Sequence, residues 1–220
     1  MEYLTPEEMR EAELRASSHG LDTATMMENA GRAIAQTVRE RYGGDAGEGR
    51  SLLAVCGTGN NGGDGFVAAR RLSRELRVRV LLLAADPSMI KTVEARTNFE
   101  RLAGEPVEVS CAGDLETLAD RAGWIADAGV ILDAIFGTGV KGEIREPMAS
   151  AIRLINESKA VKVAIDLPSG LDPASGEVSA GGAVRADLTV ALHRPKTGLR
   201  GRDGYTGELV VVPIGISADW

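Results

Sequence analysis

A parallel β-sheet with helices on both faces is the fold class that this sequence predicts. Two observations carry that prediction. Apolar runs of strand length alternate with stretches of helical periodicity from residue 52 to residue 165, the pattern of repeated strand–helix–strand units. The runs are continuously apolar, as in Leu52-Leu53-Ala54-Val55 and Val130-Ile131-Leu132, which suits strands covered on both sides. With 220 residues and 44% hydrophobic content, the chain has the material for one domain spanning residues 1–220.

The elements follow in order. Thr5-Pro6-Glu7-Glu8 opens a helix, with Thr5 as cap, Pro6 in the first position and Glu8 completing a capping box. That helix runs to about Ser18, and Gly20 can end it. A second helix starts near Asp22 or Thr23, carries Met26, Ala30, Ala33, Ile34 and Val38 on one face, and stops at Gly43-Gly44. Within it, Met26-Met27-Glu28-Asn29-Ala30-Gly31 holds an asparagine and a glycine that each weaken a helix. Close packing of helix on sheet and a ligand-facing role both account for them. After Leu52–Cys56 and a Gly-rich loop, a helix is predicted to start near Phe66, and Val78–Ala84 is the next strand. Ser88 caps a helix to about Leu102, Val107–Val109 is a short strand, and Asp114 opens a brief helix to about Ala122. Gly129–Asp133 and Val161–Ile165 are strands, with a helix from Pro147 to about Asn156 between them. Leu188–Leu192 and Glu208–Val212 are strands without a clear helix between them.

Three loops follow strand ends and carry unusual chemistry: 57–65, 133–143 and 166–172. In sheets of this kind ligands gather at the carboxyl ends of the strands, where strand order reverses. If the three strands are neighbours, the three loops form one pocket. The first loop, Gly57-Thr58-Gly59-Asn60-Asn61-Gly62-Gly63-Asp64-Gly65, has five glycines in nine residues. They allow positive φ and close backbone approach to a ligand, and a strand–turn–helix arrangement aims N–H groups at an anion. It contains the letters of a dinucleotide fingerprint, with Asp86 near the end of the next strand; taken alone this is a weak signal. No Gly-Lys-Ser/Thr follows, so a Walker A loop is excluded.

Composition excludes several classes. A net charge of −7 argues against nucleic-acid binding through phosphate neutralisation. The two cysteines, Cys56 and Cys111, are expected as reduced thiols rather than a bridge. No Cys/His cluster offers a zinc site. No run approaches membrane-spanning length and the N-terminus lacks a leader pattern, so a cytoplasmic location is expected. His19 and His193 lie outside the loops, and Ser169 sits in Pro168-Ser169-Gly170 rather than a nucleophile elbow. Lys141, Lys196, Arg70 and Arg71 are read as solvated side chains.

Asp133 and Asp166 each end an apolar strand before a Gly-containing loop. One such aspartate is commonly a cap or turn bond; two favour function. Oxygen donors such as Asn61, Asp133 and Ser169 suit a hard cation. A monovalent ion is one candidate, and the residues alone do not select it.

Four segments together resemble one family. They are Met26 with Glu28-Asn29-Ala30-Gly31, Gly59-Asn60-Asn61-Gly62-Gly63-Asp64-Gly65 with Ala68-Ala69-Arg70, Asp133-Ala134-Ile135-Phe136-Gly137-Thr138-Gly139 and Ala164-Ile165-Asp166-Leu167-Pro168-Ser169-Gly170-Leu171-Asp172. Their order and spread resemble the YjeF N-terminal domain family, the NAD(P)H-hydrate epimerases. The resemblance implies a Rossmann-like, three-layer α/β/α sandwich with a mostly parallel sheet, usually a homodimer. It implies interconversion of the R and S epimers of NADH and NADPH hydrated at C6 (NADHX and NADPHX), with a separate dehydratase consuming one epimer. Carried over by position, Asn60, Asn61, Gly62, Gly63 and Asp64 line the substrate site, with Gly137, Thr138, Gly139, Val140, Lys141, Gly142 and Glu143. Asn61, Asp133 and Ser169 would hold K⁺, and Asp166 would act at the reacting centre. The alternatives are a non-catalytic ligand-binding or scaffold module of the same fold and an NAD(P)-dependent oxidoreductase. The chain ends at Trp220, compatible with a stand-alone epimerase or with the first part of a fusion to a dehydratase.

Overall fold

The computed structural model describes residues 2–42, 51–139 and 142–217. Among these, seven strands form one sheet: β1 (Ser51–Cys56), β2 (Arg77–Leu82), β3 (Val107–Cys111), β4 (Val130–Ala134), β5 (Val161–Ile165), β6 (Leu188–Leu192) and β7 (Glu208–Val212). Every pairing is parallel, and the order is β3-β2-β1-β4-β5-β6-β7. The order therefore reverses direction between β1 and β4. The strand limits read from the sequence agree within two residues.

Alternate residues of each central strand point to opposite faces. Leu52, Ala54 and Cys56 of β1 join one core with Val80, Leu82, Leu132 and Ala134. Leu53 and Val55 join the other with Leu81 and Ile131. Both faces are buried, which is why the strands read as unbroken apolar runs. The first face is covered by α1 (Pro6–Ser18), α2 (Thr23–Tyr42), α3 (Asn60–Leu72) and α4 (Val93–Glu100). The second is covered by α5 (Leu115–Ala119), α6 (Ala122–Ala126) and α7 (Met148–Glu157). Only a short helix, α8 (Asp203–Thr206), and a 3₁₀ turn separate β6 from β7. The Thr5–Glu8 capping box is present in full.

Several expectations change. The helix expected from Phe66 starts at Asn60, so the Asn-rich loop is itself the first turn and a half of α3. Its tight fit on the sheet overrides the weak helix propensity of asparagine and glycine. Of its five glycines none has positive φ; four are there for closeness. A Cβ on Gly57 would lie 2.0 Å from Ile135 O, one on Gly62 2.1 Å from Gly57 O, one on Gly63 2.6 Å from Met27, and one on Gly65 2.7 Å from Ala134 Cβ. The helix expected from Ser88 splits into a 3₁₀ turn capped by Asp86 and α4, capped by Thr92. The brief helix from Asp114 becomes α5 and α6.

The segment around Gly31 packs helix against helix, not helix against sheet: a Cβ there would overlap Val67 of α3. Glu28 explains the neighbouring arginines, because it accepts from both Arg70 and Arg71. Those two side chains are half-buried ion-pair partners rather than solvated ones. Asn29 Nδ2 donates to Ile214 O at 3.0 Å. The helix stop read at Gly43-Gly44 lies outside the described residues.

The contact at Gly57 gives a direct test. Gly57→Ala would press a methyl group on the backbone carbonyl of Ile135, directly after β4. It is expected to destabilise the fold by about 1–3 kcal/mol, read as a lower urea midpoint. An unchanged midpoint would show that β1 and β4 are not joined this tightly.

Candidate active site

β1, β4, β5 and β6 are consecutive in the sheet, so the loops leaving their carboxyl ends are neighbours. The point where strand order reverses, between β1 and β4, is where open α/β sheets form their ligand crevice. The three loops picked out by sequence therefore share one end of one sheet.

Asp133 is the last carboxylate of β4 and is fully buried. Its Oδ2 accepts from Ser169 N at 2.7 Å, and its Oδ1 from Ser169 Oγ at 2.6 Å and Ile135 N at 3.3 Å. Ser169 Oγ in turn accepts from Phe136 N at 2.9 Å. Asn61 Nδ2, in the first turn of α3, donates to Phe136 O at 2.9 Å. Gly137 lies against the Asn61 side chain, where a Cβ would come within 3.3 Å. Asn61, Asp133 and Ser169 thus form one hydrogen-bonded cluster across three loops. Burial pushes the Asp133 carboxyl up to about 6, and the hydrogen bonds from Ser169 and Ile135 only partly oppose it. No lysine or arginine makes an ion pair with it among the described residues.

A second cluster surrounds Asp166 at the end of β5. Asp166 has φ 69°, a left-handed conformation that is unfavourable for a residue with a side chain, by about 1–3 kcal/mol. Its N–H donates to Val190 O at 2.8 Å. Its Oδ1 accepts from Leu192 N at 3.2 Å and from Lys196 Nζ; no hydrogen bond holds Oδ2 among the described residues. Lys196, read from sequence as a solvated lysine, is 1% exposed. Nothing in Arg194-Pro195-Lys196 signals this, because the burial is created by long-range packing of the N-terminal segment: Leu4 forms an isolated parallel bridge with Lys196. Glu13 of α1, which sequence reasoning also missed, is a third member of this electrostatic neighbourhood. Burial raises its carboxyl, with Lys196 opposing and Asp166 adding. Asp64, on the first turns of α3, is pushed well above the usual carboxylate range by burial, then by the charges of Asp166 and Glu13, against an opposing pull from Lys196.

The remaining predicted residues spread outward. Asn60 is exposed, Gly62 and Gly63 are buried, Gly137 and Thr138 are half-buried, and Gly139, Gly142 and Glu143 are exposed. Val140 and Lys141 lie outside the described residues. A recess of about 240 Å³ opens beside Ser169 and is bounded by Phe136, Gly137, Glu143, Leu167 and Ser179. Neither Asp64 nor Asp166 lines it, so it flanks the carboxylates rather than containing them. His193 is buried and has φ 62°; burial, Arg194 and Lys196 lower its pKa. Asp86 accepts from Ser88 N at 2.8 Å as a turn cap, not as a strand-end acid.

The model of the YjeF-related protein N-terminus matches residues 23–198. The chain belongs to that family. It is 48% identical over 98% of its length to the bifunctional NAD(P)H-hydrate repair enzyme Nnr of Pyrobaculum aerophilum, of which it covers 42%. It is 45% identical to the NAD(P)H-hydrate epimerase of Cenarchaeum symbiosum, over 87% of this chain and 84% of that one. With the NAD(P)H-hydrate epimerase of Nitrosopumilus maritimus it shares 38% identity, over 97% of this chain and 95% of that one. The chain spans less than half the length of the bifunctional relatives it matches. Among solved structures, yeast ynu0 has the same fold, with a TM-score of 0.79 at 23% identity, over 90% of this chain and 83% of that one.

The environment of Asp64 sets a pH dependence of stability. Its folded pKa lies above the unfolded value of about 3.9, so the native state holds the proton more tightly. The stability this contributes is present in full below about pH 4 and is lost as pH rises through the folded value. Asp64→Asn should therefore gain stability relative to the parent chain as pH rises above about 4, measured by urea unfolding. A difference that stays constant with pH would contradict this electrostatic environment.

Proposed function

We propose that this chain is an epimerase of hydrated nicotinamide cofactors, interconverting the R and S forms of NADHX and NADPHX. The observation that carries it is the state of Asp166. A carboxylate is held in a strained backbone conformation at the carboxyl end of β5, with one oxygen bound and the other without a hydrogen-bond partner among the described residues. Two relatives covered over most of their length carry the name NAD(P)H-hydrate epimerase, which supports the same reading.

The hydrate carries a hydroxyl on C6 beside the ring nitrogen. Its configuration is lost when the hydroxyl leaves or when the ring opens between C6 and the nitrogen. Ring opening takes the proton from the hydroxyl and closure returns it, whereas loss of the hydroxyl as water needs a proton delivered to its oxygen. A carboxyl group in a largely dry site can act as general base and acid at that oxygen in either route, moving a proton carried on the C6 oxygen. Asp166 Oδ2 is the group we assign to that proton. The first turn of α3 and the second Gly-rich loop (Asn60–Asp64 and Gly137–Glu143) would line the substrate, with backbone N–H groups for its phosphates. A hydride-transferring alternative finds less support, since Asp86 is already engaged as a turn cap.

The oxygens near Asp133 fit a monovalent cation. Asp133 is a buried carboxylate with no basic side chain paired to it among the described residues, and Asn61 uses its amide nitrogen on Phe136 O, leaving its oxygen available. Asn61, Asp133 and Ser169 would hold K⁺. Bound there, it would offset the charge of Asp133 and clamp the three loops. A single carboxylate among neutral oxygens is the donor set for such a hard ion rather than for zinc. The reading also carries a cytoplasmic homodimer and a dehydratase, on this or another polypeptide, that consumes one epimer.

The test is chromatographic resolution of the two hydrate epimers after incubation of one of them with the protein in KCl. Rapid approach to the equilibrium mixture is expected. Asp166→Asn should slow it about 10²–10⁴-fold while leaving hydrate binding in place. Replacing KCl with tetramethylammonium chloride should lower the rate and the melting temperature together. An active Asp166→Asn protein would refute the assigned proton transfer.

A further inference from the structure

Lys196 is in an unfavourable place for an ammonium, which must be fully paired when buried. Its Nζ donates to Asp166 Oδ1, to Leu192 O at 3.2 Å and to Arg194 O at 3.3 Å. That uses all three protons of the ammonium. The loop that carries it is braced from the N-terminus: Leu4 N donates to Pro195 O and Thr197 N donates to Leu4 O, both at 2.9 Å. The lysine is therefore fixed at both its backbone and its charged end.

Stability alone does not account for this pair. A buried lysine–aspartate bridge is commonly no better than an apolar pair of the same volume. Here it is also built on a left-handed aspartate at the end of β5, so two unfavourable features coincide at one residue. What the pair achieves is geometric. Two donors, Lys196 Nζ and Leu192 N, converge on the same oxygen of Asp166. The carboxylate is thereby held by one of its two oxygens. Oδ2 remains without a hydrogen-bond partner among the described residues, on a side chain that keeps 10% of its surface exposed.

We propose that Lys196 is a positioning residue for epimerisation: it locks the Asp166 carboxylate so that Oδ2 alone meets the C6 hydroxyl of the hydrate. Lys196 has no free proton to offer the substrate and acts only through Asp166. This inference rests on the epimerase reading above, and the experiment separates the two.

The parent chain is assayed first with a single hydrate epimer; failure to interconvert it refutes the epimerase reading and this inference with it. With an active parent, Lys196→Met is expected to lower kcat about 100-fold, the scale of losing a catalytic geometry by an ångström. KM should stay within about threefold, because turnover rather than ground-state binding is lost. Lys196→Met leaves a buried carboxylate unpaired and can fail to fold, so Lys196→Arg is measured beside it. That variant keeps the charge, but a planar guanidinium cannot copy the reach of one ammonium to three acceptors, and kcat should still fall at least about tenfold. Circular dichroism confirms which variants are folded. A folded Lys196 variant of either kind with kcat within about threefold of the parent overturns the proposal, as does a loss carried wholly by KM.

Discussion

A carboxylate with no exposed surface sits at the carboxyl end of β4, and the geometry of the site follows from keeping it there. An ionised group taken out of water must be given other partners. Asp133 receives three N–H and O–H donors, two of them from Ser169, in the turn after β5. Meeting the needs of that carboxylate therefore fastens the exit of β5 to the exit of β4. Phe136 extends the connection, since its N–H donates to Ser169 and its carbonyl accepts from Asn61. The N-terminus of α3 is thereby tied to both strands. The same burial that demands the donors leaves Asp133 with a pKa raised to about 6, a carboxylate whose charge a bound cation would complete.

Three aspartates at this end of the sheet meet burial in three ways. Asp133 is surrounded by neutral donors, Asp166 is matched by an ammonium, and Asp64 faces two other acids. The left-handed backbone of Asp166 and the buried Lys196 both oppose stability locally. The sheet on one side and the N-terminal segment on the other hold them in place. Lys196 depends on Leu4, and Asp166 depends on Lys196, so the first residues of the chain reach into the site although they lie far from it in sequence.

The sheet was legible because both its faces are buried, which writes the strands as apolar runs that survive without context. The first three loops were legible because glycines, asparagines and aspartates at strand ends have few other reasons to cluster. What the glycines do was less legible. Close approach and positive φ both call for glycine, and the choice of close approach at Gly57, Gly62, Gly63 and Gly65 rests on neighbours such as Ile135 and Met27 that are distant in sequence. Lys196 and Glu13 were invisible for the same reason. A lysine after proline and a glutamate on a polar helix face look solvated until α1, the N-terminal segment and the end of β6 come together. Arg70 and Arg71 likewise waited on Glu28, on another helix.

The central claim is that the loops after β1, β4 and β5 form one site in which Asp166 meets the hydroxyl of the hydrate. The most direct measurement is a crystal structure of the Asp166→Asn protein with NADPHX bound in KCl. The account predicts the C6 hydroxyl oxygen within hydrogen-bond reach of the residue-166 side chain, about 2.6–3.2 Å, with the cation on Asn61, Asp133 and Ser169. A hydrated ring lying wholly in the recess beyond Ser169, with residue 166 out of reach, would contradict it.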